Sequence, residues 1–233
     1  MFFDTESQTQ QTQAQSNIMY KVYAWMSSGL AVTALTAFGL YNNQPLFMSL
    51  MTHKWIFFAL LIAQLIMVVS ISAFINRMSY LTTVAFFFGY AFLLGITLST
   101  IFMAYQMQSI GMVFGITAGM FGLTALYGYF TDSDLSSMGS ILMMALFGII
   151  IAGVINIFLH SSTFDYIIAF ISVIIFAGLT AYDVQKIKQL EWQCAGNHSL
   201  MRKLSILGAL TLYLDFINLF LSLLRLLGQR KEQ

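Results

Sequence analysis

From Met78 to Thr131 the chain carries no charged residue and no histidine. A membrane span needs about 20 apolar residues, so this stretch is too long for one span and suits two with a short turn between them. The remainder has the same character. Of 233 residues, 59% are hydrophobic and 8% charged, and the mean hydropathy is +0.81. Soluble domains carry roughly 25% charged residues, so the class that fits is an all-α integral membrane protein. Long continuous apolar runs exclude a membrane barrel, whose strands alternate over about ten residues. A formal net charge of +1 argues against nucleic acid as a partner. The single cysteine, Cys194, excludes an intramolecular disulfide and a cysteine metal site. His53, His160 and His198 lie outside the apolar runs and read as loop residues. The chain opens on a polar Gln/Thr/Ser tract rather than a basic region followed by an apolar one, so no cleavable signal peptide is expected.

Residues 1–17 (SQTQQTQAQS within them) read as a disordered polar tail, and 18–233 as one transmembrane domain. Seven spans are predicted. They run over Tyr20–Tyr41, Trp55–Asn76, Tyr80–Tyr105, Ile110–Phe130, Gly139–Leu159, Asp165–Val184 and Leu204–Leu227. The only proline, Pro45, follows the first, Arg77 closes the second, and Gln106–Ser109 is the expected turn inside the uncharged stretch. A polar loop is expected over Gln185–Lys203. In the fourth span Gly111, Gly115 and Gly119 recur every four residues, a pattern that lets helix backbones approach closely. With seven spans, Lys21, Arg77, Lys186, Lys188, Arg202 and Lys203 share one side, and Lys54, Arg225, Arg230 and Lys231 the other. The lysine and arginine bias therefore places the N-terminus in the cytoplasm and the C-terminus outside.

The last span, LYLDFINLFLSLLRLLG from Leu212, carries a polar stripe. Gly208, Thr211, Asp215, Asn218, Ser222 and Arg225 are spaced 3, 4, 3, 4 and 3 apart, which puts them on one helical face. A carboxylate inside a membrane helix marks a candidate functional site. Asp183 lies near the end of the sixth span, Arg77 at the end of the second, and Asp215 about 16 Å along the seventh, so these three could meet. Arg225 is about 15 Å further along than Asp215 and pairs elsewhere or snorkels. Two carboxylates in a low-dielectric site cannot both ionise cheaply, so they share a proton. A guanidinium competes with that proton, and the ionised pair is a hard-oxygen site suited to calcium. The plainer alternative makes Asp183 an interfacial residue and Asp215 a packing residue.

These motifs, with LTAYDVQKIK (Leu179–Lys188) on span six, resemble the Bax inhibitor-1 (transmembrane Bax-inhibitor-motif) family, from about Tyr20 to the C-terminus. The resemblance is to a bacterial member. It implies a seven-helix bundle with the last helix central, and a pH-sensitive calcium leak through the membrane. It places the family's aspartate dyad at Asp183 and Asp215, the dyad's counter-ion at Arg77, and a second conserved arginine at Arg225. In a bacterial relative that second arginine partners a glutamate in span two. Here span two holds no acid, and Gln64 and Ile66 stand near that place. The expected function is therefore a calcium or cation leak channel of the bacterial inner membrane, not an enzyme and without a cofactor. A non-transporting regulator of a membrane-bound ATP-dependent protease is the alternative, since some bacterial relatives act so. An intramembrane aspartyl protease would need Gly-x-Gly-Asp at the second aspartate, where this chain has Leu212-Tyr213-Leu214-Asp215.

Overall fold

The structure, a computed structural model, describes residues 2–193 and 198–231. Among the described residues there are helices and no strand: α1 Phe2–Asn42, α2 Gln44–Thr52, α3 Lys54–Phe74, α4 Tyr80–Leu98, α5 Ile101–Ala104, α6 Met107–Phe130, α7 Ser136–Leu159, α8 Ser162–Gln193 and α9 His198–Leu227. Seven stretches are long and apolar enough to cross a membrane: Ile18–Asn42, Trp55–Phe74, Tyr80–Ala104, Met107–Phe130, Ser136–Leu159, Ser162–Leu190 and Ser199–Leu227. The helix backbone runs from Phe2 through the polar tract expected to be a disordered tail, and the side chains of residues 1–17 lie outside the described residues. So do Cys194 and the side chain of His198.

Local chemistry sets the breaks. Asn43 caps α2, accepting from the Leu46 N–H at 3.4 Å, with Pro45 in the first turn where a missing N–H costs nothing. Ser79 caps α4 through the Thr82 N–H at 3.1 Å. Asp134 accepts from the Ser136 N–H at 2.9 Å as α7 begins. The Ser136 hydroxyl and N–H together hold its carboxyl below the usual carboxylate range. His160 ends α7 in the left-handed conformation, φ 51°, a position glycine more often fills.

Two expectations are corrected. The sixth span does not stop at Val184, nor does a loop occupy Gln185–Lys203. α8 continues to Gln193 and α9 starts at His198. Those residues include Gln, Lys, Leu and Glu, which continue a helix well, so the helices outlast the apolar run. Gly111, Gly115 and Gly119 do not pack a neighbouring helix. All three are exposed, and a side chain on any of them would meet nothing within 4 Å. The inward face of α6 is Val113, Thr117, Phe121, Ala125 and Gly128.

The chain divides into two compact units, Met1–Phe102 with Ile187–Tyr213, and Met103–Lys186 with Leu214–Gln233. α9 contributes to both. It is the most buried of the seven spans, with 67% of its apolar window inside, against 0% for α7. Without a hydrophobic drive between helices in lipid, close packing and polar contacts hold each unit. In the first, the Thr33 hydroxyl of α1 lies 2.9 Å from the Ala91 carbonyl of α4 and 2.6 Å from the hydroxyl of fully buried Tyr213. Gln64 of α3 donates to the Leu93 carbonyl at 3.1 Å and the Thr97 hydroxyl at 2.6 Å. The Lys203 ammonium caps the end of α3, donating to the carbonyls of Ile75, Asn76 and Met78 at 3.1, 3.4 and 3.2 Å. In the second, Phe216 of α9 packs edge-on against Phe114 and Phe121 of α6. The chain after α9 lies along the turn before α6, with Gln106 N–H bonded to the Gln229 carbonyl and Lys231 N–H to that of Ala104, each at 3.0 Å.

Candidate functional site

The second unit contains both Asp183 on α8 and Asp215 on α9. Their carboxyls are close enough to act on each other directly. The pair is asymmetric. Asp215 is 5% exposed, and its Oδ2 is buried with no hydrogen-bond partner among the described residues. Asp183 is half-buried. Lys186, three residues along α8, places its charge near Asp183, and its Nζ stands 5.6 Å from the centre of the Tyr182 ring.

The back of this turn is fitted tightly. A side chain at Gly128 of α6 would collide with the Ala181 carbonyl, and one at Gly139 of α7 with the Tyr182 ring. Gln185, 8% exposed, donates through Nε2 to the Ser133 carbonyl at 2.8 Å and accepts through Oε1 from the Leu135 N–H at 2.9 Å.

The rest of the predicted stripe is largely occupied with its own helix: Ser222, 1% exposed, is buried like Asp215, whereas Thr211 and Asn218 are half-buried. The Thr211 hydroxyl donates to the Leu207 carbonyl at 3.1 Å, the Asn218 amide to that of Leu214 at 2.8 Å, and the Ser222 hydroxyl to that of Asn218 at 2.7 Å. Such back-bonding satisfies a polar group in an apolar helix without a second partner. Arg225 ends the stripe in an ion pair with Asp165, 3.3 Å apart, at the start of α8. Arg77 stands exposed in the turn after α3, in the first unit. The carbonyls of that turn are the ones Lys203 holds, and the Arg202 guanidinium lies 5.0 Å from the Tyr80 ring beside it.

Gln185 escaped the sequence reading because it fell in the expected loop, where Arg202 and Lys203 were read only for the charge bias. Once α8 is extended, Gln185 becomes a polar side chain on a buried face, which is the signal that was there to find. Among the described residues no group of three or more His, Cys, Asp or Glu side chains could hold a metal ion. The aspartate pair offers two carboxyls, where calcium takes six to eight oxygens. A calcium ion at the pair would therefore need water or backbone carbonyls to complete its shell.

Comparison with known proteins follows the same chain length. The family described as "Inhibitor of apoptosis-promoting Bax1" matches residues 15–232. The inner membrane protein YbhL of Escherichia coli (strain K12) is 47% identical over 214 residues, 91% of this chain and 92% of that one. A Borreliella burgdorferi protein is 41% identical over 229 residues, 98% and 99% of the two chains. A Rickettsia prowazekii protein, RP147, is 40% identical over 214 residues, 92% and 90%. Matched over nearly its whole length and built of seven membrane-spanning helices, the chain belongs to the Bax inhibitor-1 family.

Proposed function

We propose that this protein is a pH-responsive calcium leak pathway of the bacterial inner membrane, controlled by Asp183 and Asp215. The membrane assignment leans on the resemblance to YbhL, which is named an inner membrane protein. The observation that carries the proposal is Asp215. A charged residue at the centre of a membrane helix costs about 2.5–3.5 kcal/mol. Here the carboxyl is sealed, its neighbour is a second carboxyl, and one of its oxygens has no hydrogen-bond partner among the described residues. Packing does not call for such an arrangement, whereas a proton-controlled contact between two helices does. Protons or a cation arriving at half-buried Asp183 change the charge of the pair, and with it the contact between α8 and α9. Two carboxyls suit a cation in passage better than one held permanently. The counter-ion role of Arg77 is what the family resemblance implies, and Arg77 stands exposed in the turn after α3.

The test is calcium flux from proteoliposomes of the purified protein, measured across pH with an entrapped indicator. Asp183→Asn and Asp215→Asn should each flatten the pH response and weaken calcium binding, and the double variant should add little, because the pair acts as one unit. Arg77→Ala should move the pH midpoint. Independent, additive effects with the pH response intact would exclude the pair as the control element. Absence of flux from wild-type vesicles would favour a non-transporting regulator of a membrane-bound protease.

A further inference from the structure

We infer that Gln185 is the positioning residue of the aspartate pair, an inference that rests on the proposal that the pair is the working site. Its amide fastens the Asp183 turn of α8 to the α6–α7 loop, so that turn and loop move as one piece. Both ends of the amide are engaged by backbone of that loop, at Ser133 and Leu135. Two bonds from one planar group fix orientation as well as distance. Residues two apart on a helix point away from each other. Gln185 therefore grips the back of the turn that presents Asp183 toward Asp215. Ala181, one turn earlier on the same face, lies against Gly128, and Tyr182 lies over Gly139. α6 and α7 thus approach α8 closely at this level.

It follows that Asp183 cannot withdraw from Asp215 by a movement of α8 alone. The loop at 131–135 and the start of α7 must come with it, or α9 must move instead. Among the described residues, the charged groups that act on Asp183 are Asp215 on α9 and Lys186 on its own helix. α6 and α7 meet this turn through Gly128 and Gly139, which carry no charge, and Asp132 and Asp134 in the loop are exposed.

The test compares wild type with Gln185→Met, which keeps length and burial but loses both hydrogen bonds, and with Gln185→Ala. Full-length protein in proteoliposomes is treated with a water-soluble carbodiimide and an amine across pH, and labelling of Asp183 and Asp215 is read by mass spectrometry. This readout needs no transport. Labelling of sealed Asp215 should become about tenfold faster in Gln185→Met, the scale expected for losing a buried hydrogen-bonded hold. In an Asp183→Asn background the same substitution should change little. A folded Gln185→Met with the wild-type labelling profile, or an undiminished effect in that background, would overturn the inference. Should both variants fail to fold, hydrogen exchange in the wild type decides. Protection of the segment 131–136 must then rise and fall together with that of the Asp183 turn of α8, and independent exchange of the two segments overturns the inference. Calcium flux measured in parallel separates the two proposals. Labelling that responds to Gln185 in vesicles that do not leak sinks the leak reading alone. A pH-dependent leak with labelling indifferent to Gln185 sinks the positioning role alone.

Discussion

Arg225 and Asp165 meet at ends of their helices that favour them. Asp165 sits in the first turn of α8 and Arg225 in the last turn of α9, so each charge also faces the helix dipole of opposite sign. Both side chains are about a third exposed, 35% and 38%. An ion pair so open to its surroundings is worth up to about 1 kcal/mol. Asp165→Asn should therefore lower stability in detergent unfolding by no more than that, and less at high salt. A loss that salt does not reduce would show that Asp165 packs rather than pairs. The identity of the partner was not legible in the sequence. Asp165 lies 60 residues from Arg225, and nothing in local spacing joins them. Gln64, which stood near the place of the relative's glutamate, instead gives its amide to α4.

Among the helices, the glycines divide into two kinds that composition cannot separate. Gly128 and Gly139 lie where a side chain has no space, against backbone in one case and an aromatic ring in the other. Gly111, Gly115 and Gly119 face outward with nothing near. Overfilling a tight contact costs about 1–3 kcal/mol, whereas alanine for glycine on an open helix face gains roughly 0.5–1 kcal/mol. Gly128→Ala should lower the thermal midpoint of the detergent-solubilised protein and Gly115→Ala should raise it. A lower midpoint for Gly115→Ala would mean that another helix covers this face. The four-residue spacing was read as a row on which helices pack, and the row instead faces outward. Which way that face points depends on partners distant in sequence.

At the scale of the molecule, seven spans put the two termini on opposite sides of the membrane. The basic residues favour the N-terminus inside, six against four. A fluorescent reporter that matures only in the cytoplasm, fused after Gln233, should stay dark. Bright fluorescence there would reverse the orientation. α9 is the span with both the polar stripe and the deepest burial. A helix surrounded by other helices can carry an aspartate, whereas α7, with none of its apolar window buried, carries no charged residue along Ser136–Leu159.

The number of spans, their approximate limits and the helices that carry the two aspartates were determined by the sequence, because lipid imposes a length and an apolar composition that can be counted along the chain. The family motifs on spans six and seven named Asp183 and Asp215 together. Three things were decided only by tertiary structure. The end of α8 was set by helix continuity, not by hydropathy, so Gln185 emerged from an expected loop onto a buried face. The Arg225 partner was settled by which helix ends come together. The burial of Asp215 and the half-exposure of Asp183 arise from the packing around each, which no local pattern encodes. Periodicity fixes which residues share a face, whereas the surroundings of that face are fixed by elements far away in the chain.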